Sequence, residues 1–227
     1  MRLFLALLPL TFATTILGAA AAGDRPKARE LPLLFTDDFS KGVAAWEPTD
    51  PKAWKLIDIG KGKAFSQFQQ SKYKPPFRSP LNIALRKGVA VGDFVLEALV
   101  KSTAKDYPHR DVCLFFGYQD PSHFYYAHLA KRTDDRANQI FLVHGADRKK
   151  ISTKTTEGTP WDDKWHLVKV VRTVANGKIE VYFDDMKTPI MTATDRTLSW
   201  GRIGVGSFDD TGDWTDISLR GVRVEKK

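Results

Sequence analysis

The side chains in this 227-residue chain that could do chemistry are mainly histidines, aspartates, one arginine and one cysteine, and their spacing decides what chemistry that is. The histidines are His109, His123, His128, His144 and His166. Side chains alternate along a strand, so Phe124, Tyr126, His128 and Ala130 share one face of the segment Phe124–Lys131. Tyr125, Ala127 and Leu129 share the other face and read as core. Tyr126 and His128, joined by Gln139 from the next apolar run, make a candidate ligand groove. An aromatic ring covers the apolar face of a sugar, while imidazole and amide groups bond its hydroxyls. The alternative, a plain solvated sheet face, is the one the sequence favours.

Arg110 follows Pro108 and His109 at a strand entrance, where loops often carry function. Its guanidinium could hold a carboxylated sugar in bidentate fashion, although a local ion pair with Asp111 or Asp106 is the plainer account. Acidic residues gather at the two ends of the domain: Asp37 and Asp38 early, and Asp209, Asp210, Asp213 and Asp216 late. Asp38 with Asp216, helped by carbonyls, would suit a structural calcium, which takes oxygen ligands. Solvated loop acids are the other reading. Trp161 and Trp214 stand beside turns and are candidates for an aromatic platform, against the alternative of core or rim packing. His166 reads as a packing or hydrogen-bonding residue. Cys113 is the only cysteine, so no intrachain disulfide can form, and its apolar setting suggests a small buried hydrophobe. No catalytic residue is assigned.

These groups must be positioned by strands, because helical periodicity is almost absent. Short apolar runs recur between Gly, Pro, Asn and Asp, from Leu34–Phe39 through Phe94–Ser102, Asp111–Tyr118 and His166–Thr173 to Trp214–Val224. That pattern predicts an all-β, two-sheet antiparallel sandwich. Asn176-Gly177 between two β-branched runs predicts a two-residue type I′ hairpin. Gly201, Gly204 and Gly206 leave one strand face nearly bare, which lets another backbone or a ligand come close.

Met1-Arg2, an apolar run to about Ile16 and the stretch Gly18–Ala22 predict a signal peptide over 1–22. A disordered lead-in over 23–32 and one sandwich domain over 33–227 follow. The expected location is secreted or periplasmic, with no membrane-spanning segment. The formal net charge is +8, and removing the leader takes away only Arg2, leaving +7. The basic residues are scattered without the aromatic interleaving that single-stranded nucleic acid requires, so no nucleic-acid partner is expected. Attraction to an acidic polysaccharide stays open.

Four segments carry a family likeness: Leu34–Phe39 through Trp46, Phe94–Ala98, Leu114–Tyr118 with Tyr125-Tyr126, and Trp165–Asp216. Together they resemble the concanavalin A-like lectin/glucanase superfamily, including laminin G-like and 3-keto-disaccharide hydrolase-like domains. The resemblance implies a jelly roll, a glycan partner and, in related modules, a calcium tying the first strand to the last. The Glu-x-Asp-x-x-Glu motif of the superfamily's retaining glucanases is missing. Asp184-Asp185 and Asp209-Asp210 are adjacent pairs, which point to opposite faces within a strand. The expected function is therefore noncatalytic carbohydrate or cell-surface glycan recognition. The alternatives are a glycoside hydrolase or polysaccharide lyase working near His109, Arg110, Tyr126 and His128, and a protein-interaction module.

Overall fold

The computed structural model describes residues 31–225. The predicted leader, and the lead-in up to Glu30, lie outside those residues. Sixteen strands among the described residues form two antiparallel sheets. The first sheet runs β11 (Ser152–Thr155), β14 (Met191–Thr194), β13 (Lys178–Phe183), β12 (His166–Thr173), β6 (Val91–Ser102), β16 (Gly212–Arg223), β4 (Lys63–Gln67) and β3 (Trp54–Asp58), with β1 (Leu33–Asp37) also paired to β16. The second runs β10 (Lys149–Lys150), β9 (Gln139–His144), β8 (His123–Ala130), β7 (Asp111–Asp120), β15 (Arg202–Ser207), β5 (Asn82–Arg86) and β2 (Trp46–Pro48). No helix among the described residues is long and apolar enough to cross a membrane.

Burial explains the two kinds of strand pattern. β12 alternates buried and half-buried residues, because only one face of the first sheet is covered. β7 is buried from Asp111 to Tyr118 without a break, which requires cover on both faces. The inner cover is the other sheet: Val112, Leu114 and Phe116 of β7 and Tyr125, Ala127 and Leu129 of β8 share one core with Leu96, Val100, Val168 and Val170. The outer face carries a second cluster, with Cys113, Phe115, Tyr126 and Phe141 packed under Tyr73, Phe77 and Phe208. The covering segment is tied down: Ser71 N–H donates to Asn82 Oδ1 (2.7 Å), Arg78 N–H to Asp147 Oδ1 (2.9 Å) and Leu81 N–H to the Phe208 carbonyl (2.8 Å).

Two details differ from the sequence expectation. The β12–β13 hairpin closes at Thr173↔Lys178, so four residues form its loop, and Gly177 alone of the Asn-Gly pair has positive φ (76°). Asn176 instead accepts from the Lys178 N–H (2.9 Å), which makes an Asx turn rather than a type I′ turn. The packed domain also begins before residue 33, since the Gly221 N–H donates to the Pro32 carbonyl (3.0 Å). The glycine reading of β15 agrees with the structure: a Cβ on Gly206 would lie 1.9 Å from the Asn82 carbonyl oxygen on β5, and one on Gly204 2.7 Å from that of Ala84.

Candidate functional site

The outer face of the second sheet ends in a cluster of polar groups. Period-two geometry puts Asp111 and Cys113 of β7 on that face, and the antiparallel register sets Cys113 directly opposite His128 of β8. All three are buried. His128 Nε2 lies 3.5 Å from Asp111 Oδ2, and Cys113 Sγ lies 3.7 Å from Asp111 Oδ1. The Phe208 N–H donates to Asp111 Oδ1 (2.8 Å), and the Phe208 ring stacks on the His128 imidazole with centroids 5.8 Å apart. Arg148 donates to the Tyr126 hydroxyl (2.9 Å) and lies over the rings of Phe141 and Phe208.

Around this floor runs a more accessible rim built from loops. Asp210, in the β15–β16 turn, accepts on Oδ2 from the Asp111 N–H (2.8 Å) and from the Tyr107 hydroxyl (2.9 Å). Tyr107 and Asp209 are exposed, and His109 meets Asp134 at 2.7 Å. Burial and then the Asp111 carboxylate push Asp210 up to about 6. The same two causes raise Asp209. Burial drives the Cys113 thiol and the Tyr126 phenol well above their ordinary ranges, so both are neutral near pH 7. The rim thus offers carboxylate acceptors, an imidazole and an exposed phenol ring.

No family model and no curated protein matches the chain. Solved structures do match over most of its length. The carbohydrate-binding module CBM66 from Bacillus subtilis aligns at TM-score 0.54 and 18% identity, covering 78% of this chain and 96% of that one. Winged bean acidic lectin complexed with methyl-α-D-galactose aligns at TM-score 0.55 and 12% identity, over 84% and 98%. The exoplasmic/lumenal domain of VIP36, in a Ca2+/Man3GlcNAc-bound form, aligns at TM-score 0.53 and 13% identity, over 84% and 89%. The fold is a concanavalin A-like sandwich.

Within this concanavalin A-like sandwich the residues predicted from sequence fall into three groups. Tyr126, His128 and Gln139 do share the face opposite the main core, but they are only 0%, 3% and 5% exposed. The face is neither the candidate groove nor the plain solvated surface that the sequence favoured, because Tyr73, Phe77, Arg148 and Phe208, none of which lies on β8 or β9, cover it. Gln139 Nε2 spends its donor on the Asp134 carbonyl (2.8 Å).

Arg110 is also buried, and its partners are neither Asp111 nor Asp106. It donates to Ser102 Oγ (3.0 Å), the Ser102 carbonyl (2.8 Å), the Asp162 carbonyl (2.9 Å) and Asp163 Oδ1 (2.9 Å), while Lys131 takes Asp106. The guanidinium staples β6 to the loop before β12, where no sugar carboxylate can reach it. Trp161 and Trp214 form no surface platform. Trp161 is 4% exposed and donates to the Leu129 carbonyl (2.9 Å), and Trp214 is fully buried in the main core. Large apolar rings beside turns were drawn inward by area, which outweighs their position in the chain. His166 is a hydrogen-bonding residue, held between Asp184 (2.8 Å) and Asp162 (2.9 Å).

Asp38 and Asp216 line the same cleft of about 450 Å³ at the β1–β16 seam, with Asp37, Ser40, Lys41 and Ser218. Asp216 stands at φ 46° inside the register shift of β16 between Thr215 and Ser218. The Asp37 carboxylate is used internally, accepting from the Phe39 N–H (3.0 Å) and Trp46 Nε1 (2.9 Å). Asp38 Oδ1 accepts from the N–H and hydroxyl of Ser40. Apart from Lys41 the polar side chains are oxygen donors, a set that fits calcium.

The rim residues Tyr107, Asp209 and Asp210 and the floor pair Asp111 and Cys113 went unread as a site. One signal was available: Asp-x-Cys on a strand, opposite a histidine two places from a tyrosine, puts three metal-competent groups on one face.

Proposed function

We propose that this chain is an exported, noncatalytic glycan-binding sandwich whose ligand sits on the rim formed by Tyr107, His109, Asp209 and Asp210. The observation that carries the reading is that rim: an exposed tyrosine whose hydroxyl donates to Asp210 (2.9 Å), beside the exposed Asp209, at one end of the second sheet. A pyranose or furanose ring stacks on such a phenol, and carboxylates accept from its hydroxyls. The likeness in fold to a carbohydrate-binding module, a lectin complexed with methyl-α-D-galactose and the Man3GlcNAc-bound VIP36 domain supports the same class of ligand. Absence of turnover is supported by burial, since a general base must come within hydrogen-bond reach of the proton it takes. Of the four groups named for a hydrolase or lyase, Arg110, Tyr126 and His128 are covered, and His109 alone stays exposed.

A hydrolase is the second reading, favoured by one observation: Asp210, held near 6, would retain its proton in mildly acidic medium and serve as a general acid. A glycan array combined with a reducing-end release assay separates the two. Binding without release supports recognition, and release abolished in Asp210→Asn supports hydrolysis. Tyr107→Ala should weaken glycan binding about tenfold, the loss of roughly one stacking contact. Unchanged affinity would remove the rim from consideration. The Asp38–Asp216 cleft is proposed as a structural calcium site. Calcium added to stripped protein should raise Tm in the native chain and not in Asp216→Asn, because an ion bound only by the folded state stabilises it.

A further inference from the structure

The floor of the candidate site holds an arrangement that the glycan reading does not use. We propose that Asp111, Cys113 and His128 form a binding site for one divalent transition-metal ion, with zinc the best chemical match.

The donor atoms of these residues all lie within 4.8 Å of one another. In a tetrahedral site with metal–ligand bonds of about 2.0–2.3 Å, neighbouring donors stand roughly 3.3–3.8 Å apart. The 3.5 Å between His128 Nε2 and Asp111 Oδ2, and the 3.7 Å between Cys113 Sγ and Asp111 Oδ1, fall inside that range. Both are too long for good hydrogen bonds between nitrogen and oxygen or for a strong thiol bond.

The imidazole supplies the independent observation. His128 Nδ1 lies 3.1 Å from the Arg136 carbonyl oxygen, which can only accept, so Nδ1 carries the hydrogen. With the hydrogen on Nδ1, Nε2 is the ring atom that faces the Asp111 carboxylate. Nε2 makes no hydrogen bond, although the side chain is only 4% exposed. Two acceptors facing each other in a buried place are repulsive until a cation lies between them. A ring whose other nitrogen is fixed by a backbone carbonyl is also the usual setting of a metal-bound histidine. Asp111 is held in the same way, by the Phe208 N–H on Oδ1.

The donor set selects the ion. Sulfur and nitrogen donors suit zinc and its neighbours, whereas calcium and magnesium take oxygen. On binding, the Cys113 S–H bond breaks, an S–metal bond forms and the proton passes to solvent. One thiolate and one carboxylate then neutralise a divalent ion, so the loaded site buries no net charge.

The test uses the full chain stripped with chelator and titrated with cobalt(II), then with zinc(II), without glycan. Cys113 is the only cysteine, so a thiolate-to-cobalt charge-transfer band reports this site and no other. The expected result is one ion per chain, an intense near-ultraviolet band that zinc abolishes by displacement, and a higher Tm with zinc. Cys113→Ser should lose the band. His128→Ala should weaken uptake about 100-fold or more, since a direct ligand matters at least as much as its supporting partners. Folded native chain that takes up no cobalt, or takes it up without the band, overturns the proposal. Uptake without the band would point instead to the surface pair His123 and His144, whose rings sit 5.0 Å apart. The native-chain spectrum decides the matter even where a variant fails to fold, and loss of glycan binding alone would leave it untouched.

Discussion

The two faces of the second sheet are built from alternate residues of the same strands, yet they solve burial differently. Phe116 and Tyr125 stack at 5.3 Å under the first sheet, in a core whose other wall is also a hydrogen-bonded sheet. Phe115 and Tyr126, one residue away on each strand, are equally buried but lie under a loop segment and Phe208. A sheet wall satisfies its own backbone and presents only apolar groups. A loop wall brings N–H groups, carbonyls and charged side chains with it, so polar groups on the sheet beneath can find partners. Asp111, Cys113 and His128 all lie on the loop-covered side. Polar chemistry accumulates where the cover is irregular.

The largest test of that contrast is a pair of truncations. Phe116→Ala should cost about 3–5 kcal/mol in denaturant unfolding, because two sheets cannot close on the cavity. Phe115→Ala should fall at the lower end, about 3 kcal/mol, because the covering segment can settle. Equal costs would mean that the loop is as rigid a wall as a sheet. Arg110→Ala comes next, at about 2–3 kcal/mol, since it leaves the Ser102 and Asp162 carbonyls without this donor. A smaller loss would show that water reaches those carbonyls.

A smaller effect is expected in the pH dependence of stability. The folded carboxyl of Asp210 is raised to about 6, so the folded state prefers its proton. The contribution is complete below the ordinary carboxylate range, near pH 4, and is lost as pH rises through about 6. Melting curves across that window should therefore show a decline in the native chain that is absent in Asp210→Asn. No difference between the two would mean that the loop wall leaves Asp210 well solvated. The smallest effect belongs to Tyr107→Phe, which removes one hydrogen bond to Asp210. The Asp210 midpoint should move upward, because that bond favours the charged form. A downward move would put the hydroxyl in the role of acceptor.

Much of the architecture was legible along the chain. The strands from Leu34–Phe39 to Trp214–Val224 were readable because burial of one face imposes period two, and burial of both faces leaves a continuous apolar run. Only the two short strands β2 and β10, with three and two residues, escaped, being too brief to show any period. The common face of Tyr126, His128 and Gln139 was legible for the same reason. Their cover was not, because Tyr73, Phe77 and Phe208 come from distant loops that obey no period.

Local covalent geometry, acting through the alternation of side chains, was thus enough to determine the sandwich and the bare glycine face of β15, while the joining of the first and last strands came from the family resemblance. Tertiary packing alone decided which sheet face lies under a loop. It also turned Trp161, Trp214 and Arg110 inward and set Cys113 opposite His128. Those outcomes depend on contacts between segments tens of residues apart, where buried area and unpaired polar atoms are weighed over the whole domain and no short window of sequence carries the balance.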